Sequence, residues 1–115
     1  MSIRIAVLGV GNCASSLVQG LQYYKKIKSD ATIAGLMHPV LGGYHISDIK
    51  VVAAFDVNTN KVGVDVASAI FVKPNNTTRF ASVSRSGVFV SSAPMLDGIG
   101  EYVKGVFPIT KNNAL

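Results

Sequence analysis

The chain has 115 residues and a net charge of +5, and 49% of its residues are apolar while only 15% are charged. This length is typical of a single domain, and the apolar content excludes a disordered chain. The basic residues are scattered, and no aromatic residues alternate with them as a stacking platform for nucleic acid would require. No stretch approaches the roughly 18 consecutive apolar residues of a membrane span. We therefore expect neither a nucleic-acid partner nor a membrane partner.

The only cysteine is Cys13, which excludes an internal disulfide and a multi-cysteine zinc site. A single cysteine fits a reducing compartment, and Arg4 interrupts the early apolar run that a signal peptide would need. We therefore expect a cytoplasmic protein. Cys13 itself has no evident base partner, so we interpret it as a small packing residue rather than a nucleophile.

The first predicted elements are a strand over Ile3–Leu8, a glycine turn and a helix that begins near Asn12. The strand is dense in isoleucine and valine. The helix is indicated by apolar residues at helical spacing, namely Ala14, Leu17, Val18, Leu21 and Tyr24. Basic residues follow at its carboxyl end, where cations complement the helix dipole: Lys25, Lys26 and Lys28.

The regular pattern breaks over Ser29–Ser47, which is rich in glycine and contains Pro39. We predict a long irregular insertion, and loops of this length in compact domains are usually functional or disordered. His38 and His45 lie in the insertion, with Asp48 close behind them. A metal site would need more ligands in a fixed geometry, so we assign no metal ligand here.

A second strand is predicted over Ile49–Phe55, and it ends at Asp56. Its apolar residues are continuous, as in parallel strands that are covered on both faces. Asn58 or Thr59 is expected to cap a second helix. The apolar face of that helix consists of Val62, Val66, Ala69 and Ile70.

A turn-rich break over Lys73–Thr78 precedes a third strand over Gly87–Ser92, and a loop over Leu96–Gly100 follows. The order β-α-β-α-β predicts a parallel sheet with crossover helices. We therefore predict an α/β fold with a Rossmann-like parallel sheet and flanking helices. It amounts to one βαβαβ half of a dinucleotide-binding fold, so the sheet should be incomplete and leave an unpaired edge.

The turn after the first strand has the spacing of a dinucleotide-binding fingerprint, Gly9-x-Gly11-x-x-Ala14. Gly9 permits the tight turn, Gly11 lets the backbone approach a pyrophosphate, and Ala14 allows close packing of helix on strand. The helix that begins near Asn12 offers its free N–H groups to the anion. A plain strand–helix turn is the structural alternative.

Asp56 ends the second strand, where an acidic residue accepts hydrogen bonds from the ribose hydroxyls of NAD. Its charge would repel the extra phosphate of NADP, and neither Val57 nor Asn58 offers a cation. The insertion lengthens the usual separation of about 20 residues between the fingerprint and this acid. An aspartate that caps the next helix is the alternative. The two motifs together predict NAD as the cofactor.

Several further stretches are more specific than the glycine turn: GVGNCASSLVQG, GLMHPVLGGYHISDI, VVAAFDV, KVG, AIF, NNT and LDGIGEY. In these stretches the chain resembles the N-terminal portion of the myo-inositol-1-phosphate synthases of archaeal and bacterial type. The resemblance runs from about Ile3 to Val103. It is specific because the insertion matches as well as the glycine turn does.

The resemblance implies an enzyme that converts glucose 6-phosphate to inositol 1-phosphate, for inositol and phospholipid biosynthesis, without net redox change. NAD accepts a hydride from the sugar, an enol closes the ring by an aldol step, and the NADH returns the hydride. The resemblance also implies that Gly9, Val10, Gly11 and Asn12 line the NAD pyrophosphate and that Asp56 contacts the adenosine ribose. Family members are homo-oligomers, tetramers among them.

Members of this family are considerably longer than this chain, and their catalytic lysines and substrate-phosphate contacts lie beyond the part that matches. We therefore assign no catalytic residue. We expect residues 1–115 to form a partial N-terminal NAD(P)-binding domain of Rossmann type, with the catalytic domain absent. The alternatives are a free-standing NAD-binding module or truncated relic without catalysis, and a basic interaction protein on a βαβ scaffold.

Overall fold

The computed structural model describes residues 2–25, 35–94 and 108. The described elements, in chain order, are β1 (Ile3–Leu8), α1 (Asn12–Tyr23), β2 (Val40–Leu41), β3 (Tyr44–His45), a 3-10 turn (Ile46–Asp48), β4 (Ile49–Asp56), α2 (Val66–Ala69) and β5 (Val90–Ser92). None of the helices in this part of the chain is long and apolar enough to cross a membrane.

The central feature is a three-stranded parallel sheet in the order β1-β4-β5. β1 pairs with β4 from Ile3 opposite Ile49 to Leu8 opposite Phe55. β5 pairs with the carboxyl end of β4 and, at three residues, is shorter than predicted. This strand order is that of one half of a doubly wound fold. The predicted incomplete Rossmann-like α/β fold is therefore confirmed.

The apolar core consists of residues from the glycine turn, both helices and the sheet: Val10, Val18, Ala54, Val66, Ala69, Ile70 and Val90. The opposite face of the sheet is open within the described residues, since Leu8 is 80% exposed and Val52 is 48% exposed. Right-handed crossovers that proceed in one direction place both helices on one face of a sheet. The prediction that the strands are covered on both faces is therefore wrong for this part of the chain.

Helix α1 begins where it was predicted, but its buried face is partly polar. Ala14 and Val18 are buried as expected, whereas Leu17 is 43% exposed. Ser15 and Gln19 are fully buried instead. Cys13, interpreted from the sequence as a packing residue, is exposed, so that interpretation is wrong.

Gln19 fastens a distant loop to the helix. Its side-chain Nε2 donates to the Thr78 carbonyl at 3.3 Å. Its Oε1 accepts the N–H groups of Phe80 at 2.8 Å and Ala81 at 3.2 Å. Because a buried amide is costly unless its hydrogen bonds are made, this side chain fixes the course of the loop along α1.

The described part of the insertion is more regular than predicted. β2 and β3 form an antiparallel hairpin closed by Gly42 and Gly43, which both have positive φ angles, 60° and 82°. Two-residue hairpin turns of this kind need positive φ at both central positions. His45 and Asp48 then cap the following 3-10 turn reciprocally. The basic pair Lys26 and Lys28, and the 96–100 loop, lie outside the described residues.

Helix α2 is shorter than predicted and starts later. Its N-cap is Asp65, not Asn58 or Thr59. The Asn58 side chain instead closes a turn with the N–H group two residues ahead. Gly63, with φ at 81°, turns the chain before the helix starts. Val66, Ala69 and Ile70 are buried, as predicted for its apolar face.

Asp65 joins α2 to the loop that leads into β5. Asp65 is 8% exposed, and its carboxylate accepts the Ala67 N–H at 2.9 Å, as an N-cap does. It also accepts the Ser86 hydroxyl at 2.8 Å and the Gly87 N–H at 2.8 Å. Burial alone would raise the pKa of Asp65, but these hydrogen bonds outweigh it and hold the pKa below its ordinary value.

We expect Asp65→Asn to lower the free energy of unfolding at pH 7 by about 2 kcal/mol, because an amide cannot accept all of these hydrogen bonds. The folded pKa lies below the unfolded value of about 3.9. The contribution of the carboxylate is therefore complete above that value and is lost as the pH falls through the folded pKa. The difference from the wild type should shrink accordingly at pH 3.

Urea unfolding at pH 7 and pH 3 measures both effects. Asp48→Asn is the matched control, since Asp48 accepts the N–H of His45 at 2.9 Å within its own turn and ties no distant loop. Asp48→Asn should lower the free energy of unfolding at pH 7 by clearly less than Asp65→Asn does. Equal losses for the two variants would contradict the account of Asp65.

Candidate functional site

The glycine turn and Asp56 lie side by side at one edge of the sheet. Leu8 is paired with Phe55, so the residues that follow each of them emerge next to each other at the carboxyl ends of β1 and β4. Ligand-binding crevices of open α/β sheets are found at this edge. The structure thus brings together all the cofactor-binding residues named from the sequence: Gly9, Val10, Gly11, Asn12 and Asp56.

The first two N–H groups of the turn are used by the neighbouring strand. Gly9, with φ at 92°, donates its N–H to the Phe55 carbonyl at 2.8 Å. A positive φ of this size suits glycine and strains other residues, so this position requires glycine. Val10 then donates its N–H to Asp56 Oδ2 at 2.7 Å. The acid at the end of β4 therefore holds the turn directly.

Asp56 retains acceptor capacity after these contacts. Its other oxygen, Oδ1, accepts the Asn58 N–H at 2.8 Å. An ionised carboxylate has about four acceptor positions, so the described residues leave one position on each oxygen for other donors. The alternative in which Asp56 caps the next helix is wrong, because Asp65 caps α2.

The carbonyl of Val10 is held by two side chains from beneath the turn. Lys61 Nζ donates to it at 2.7 Å, and Asn75 Nδ2 donates to it at 3.1 Å. Lys61 Nζ also donates to Asn75 Oδ1 at 2.8 Å, which joins the two side chains to each other. Asn75 Nδ2 donates in addition to the Ile70 carbonyl at 2.9 Å. We call Asp56, Lys61 and Asn75 the Val10 clamp.

Lys61 is an unusual member of this clamp because it is a lysine that is only 3% exposed. Burial lowers its pKa below the ordinary value, and the nearby Asp56 carboxylate offsets part of that effect. A buried ammonium group is costly unless hydrogen bonds and a counter-charge compensate it, and both are present here.

Gly11 faces open space at the start of α1. It is the N-cap residue, and no side chain in the described part of the chain caps the helix. A Cβ atom added to Gly11 would meet no heavy atom of the described residues within 4 Å. Its backbone angles, φ −94° and ψ −159°, suit most residues, so a substitution here does not strain the chain. The uncapped N–H groups at this end are suited to an anion.

The Asn12 side chain is committed to the loop that follows α2. Its Oδ1 accepts the Asn76 N–H at 2.8 Å, the Thr77 N–H at 3.0 Å and the Thr77 hydroxyl at 2.7 Å. Only the backbone N–H of Asn12 is thus left to face the open space. The predicted turn-rich break over Lys73–Thr78 is therefore the segment that supports the glycine turn.

Sequence reasoning left Lys61, Asn75 and Thr77 without a role. Lys61 and Asn75 are 51 and 65 positions from Val10 in the chain, so no local spacing links them to the turn. These residues could have been identified only as polar residues at positions where the fold buries the chain. Lys61 precedes a run of valines and glycine, and Asn75 and Thr77 lie in the NNT stretch.

The histidines of the insertion do not lie at this site. His45 Nδ1 is 2.8 Å from Ser47 Oγ, and the His45 N–H donates to Asp48. Within residues 2–25, 35–94 and 108, no group of three or more histidine, cysteine, aspartate or glutamate side chains is placed to hold a metal ion.

Comparison with known proteins identifies relatives. No family model matches the chain. It is 54% identical over 100 residues to the inositol-3-phosphate synthase of Mycolicibacterium smegmatis, an alignment that covers 87% of this chain and 28% of the relative. The inositol-3-phosphate synthase of Mycobacterium tuberculosis is 53% identical, with 87% and 27% covered. That of Corynebacterium glutamicum is 47% identical, with 90% and 28% covered.

Two solved structures are similar in fold. The crystal structure of Ari2 superimposes with a TM-score of 0.72 at 37% identity and covers 90% of this chain and 30% of that one. A myo-inositol-1-phosphate synthase-related protein from Thermotoga maritima superimposes with a TM-score of 0.61 at 21% identity, with 96% and 26% covered. At 21% identity, the similarity to the Thermotoga maritima protein supports the fold alone.

The chain spans little more than a quarter of the length of the curated relatives it matches. Within that span the identity is 47–54%. The resemblance to the inositol-phosphate synthases that the sequence motifs indicated is therefore confirmed, and the chain is similar to a part of such a protein.

Proposed function

We propose that this chain binds NAD and is the N-terminal NAD-binding part of an inositol-3-phosphate synthase. The observation that carries the proposal is the open, uncapped turn at Gly11, which lies beside Asp56 at the carboxyl edge of the parallel sheet. The relatives named inositol-3-phosphate synthase support the same assignment.

The residues present fit the pyrophosphate of a dinucleotide. The N–H groups of Gly11 and Asn12 begin a twelve-residue helix whose dipole favours an anion at this end. The missing side chain at Gly11 leaves space for the phosphates to approach the backbone. Val10 is fully buried and both its peptide groups are engaged, so we assign it a supporting role beneath the pyrophosphate.

Asp56 fits the adenosine ribose. One acceptor position on each carboxylate oxygen is left after the N–H groups of Val10 and Asn58 are bound. Ribose hydroxyl groups donate to an acid at this place in dinucleotide-binding folds. When bound, NAD would supply a hydride acceptor for the sugar, and the residues described here would bind and orient it.

The activity we propose for the whole protein is the conversion of glucose 6-phosphate to myo-inositol phosphate. In this proposal residues 1–115 form the NAD(P)-binding domain, and none of the described residues is assigned as catalytic. Function in the cytoplasm and assembly into a homo-oligomer, a tetramer, belong to the same proposal. An NAD-binding module without catalysis is the second candidate, because the same turn and Asp56 would serve it equally well.

Gly11→Ala and Gly11→Val test the turn. We expect both variants to fold, because the backbone angles suit other residues and the added atoms meet open space. NAD affinity should fall about tenfold for alanine and further for valine, because the side chain occupies the position of the pyrophosphate. Isothermal titration calorimetry measures the affinity, and circular dichroism measures folding.

Gly20→Ala is the matched control for this pair. Gly20 lies in α1, and a Cβ there also meets no atom of residues 2–25, 35–94 and 108 within 4 Å. The change should leave NAD affinity unaltered and stabilise the helix by about 1 kcal/mol. If Gly11→Val folds and binds NAD as the wild type does, the turn is only a connection between strand and helix.

Asp56 also predicts the choice between NAD and NADP. The 2′-phosphate of NADP would lie beside this carboxylate, and like charges at close range repel. Lys61, the cation of the Val10 clamp, already donates to the Val10 carbonyl and to Asn75. We expect calorimetry to show NAD binding at least about tenfold more tightly than NADP. Equal affinities would contradict the placement of Asp56 at the ribose.

A further inference from the structure

We propose that Lys61, together with Asn75, is a positioning residue that aims the Gly11 N–H at the nucleotide pyrophosphate. The inference rests on the proposed NAD site and adds to it a buried cation that does not touch the ligand. It follows from the contacts of the Val10 carbonyl, which lies 2.7 Å from Lys61 Nζ and 3.1 Å from Asn75 Nδ2.

The geometry of one peptide bond carries the first step. The Val10 carbonyl and the Gly11 N–H belong to the same peptide group, which is trans. In a planar trans peptide the C=O and N–H bonds point in opposite directions. Lys61 is 3% exposed and holds the carbonyl towards the interior. The Gly11 N–H must therefore point away from the interior.

The preceding peptide group is fixed from the other side. The Val10 N–H donates to Asp56 Oδ2 at 2.7 Å. With Val10 itself fully buried, neither peptide plane beside it can rotate without breaking a hydrogen bond to a side chain of the clamp. The donor is thus oriented before any ligand arrives, and a ligand does not lose affinity in ordering it.

The charge on Lys61 adds to this orientation. A cation that donates to a carbonyl polarises the whole peptide group, and linked hydrogen bonds strengthen one another in a medium of low dielectric constant. The Gly11 N–H thereby becomes a stronger donor towards an anion. A neutral side chain of similar length would fill the space but would supply neither the hydrogen bond nor the polarisation.

The test compares Lys61→Met with Lys73→Met, which makes the same change of charge at an exposed position in the loop that supports the turn. Affinities for ADP, which has a pyrophosphate, and for adenosine, which has none, are measured by NMR titration. We expect Lys61→Met to weaken ADP binding about tenfold and to change adenosine binding by less than about twofold. Lys73→Met should change neither.

If Lys61 contributed only to stability, Lys61→Met would weaken the binding of both ligands equally or of neither. The ratio of the ADP and adenosine affinities therefore separates a role in stability from a role in positioning. If Lys61→Met does not fold, Asn75→Ala decides the question. That variant removes one donor from the Val10 carbonyl, and it should weaken ADP binding about threefold while adenosine binding stays the same.

The outcomes separate this inference from the proposed function. If the wild type binds ADP no better than adenosine, the glycine turn does not hold a pyrophosphate, and both the site and the inference fall. If the wild type prefers ADP and a folded variant of the clamp keeps that preference in full, the site stands and the inference about Lys61 is overturned.

Discussion

The rest of the site depends on one constraint, which is that hydrogen bonds hold Val10 on both sides. A carboxylate at the end of β4 holds its N–H, and a lysine and an asparagine hold its carbonyl. Glycine turns are intrinsically mobile because glycine restricts the backbone so little. The clamp removes that freedom at the point where the turn must present N–H groups, and it does so with side chains from three separate segments.

The same segments hold the fold together around the turn. The loop after α2 is tied to the start of α1 through Asn12, which accepts from Asn76 and Thr77. One and two turns further along the helix, the buried Ser15 and Gln19 continue this polar stripe. The loop is therefore fixed along α1 by hydrogen bonds, and Phe80 adds an edge-to-face contact with Tyr23 of the helix, with ring centroids 6.1 Å apart. A small sheet with one open face gains order from such contacts, since each buried polar group is costly when it is left unpaired.

The parts of this structure that follow from local pattern could be predicted from the sequence. β1 was predicted over its observed range, and the fingerprint spacing placed Gly9 and Gly11 in the turn beside Asp56. These features depend on short-range rules: apolar runs form strands, and glycine permits a positive φ.

The missed parts depend on contacts between distant positions. Lys61 precedes Val62 and Gly63 in a stretch expected to be a helix, and nothing nearby shows that its ammonium reaches a carbonyl 51 positions away. The N-cap of α2 was misplaced because Asn58 suits a cap as well as Asp65 does by residue type. Leu17 was assigned to the buried face by its spacing, yet Ser15 and Gln19 are buried instead, and Gln19 is bonded to the loop after α2.

The outward N–H of Gly11 is the central claim, and its resonance in a two-dimensional ¹H–¹⁵N spectrum tests it most directly. On addition of NAD, the Gly11 amide signal should move strongly downfield. The signals of Gly63 and Gly87, whose N–H groups already donate to the Val90 carbonyl and to Asp65, should stay in place. A Gly11 signal that does not move while the chain binds NAD would contradict the account.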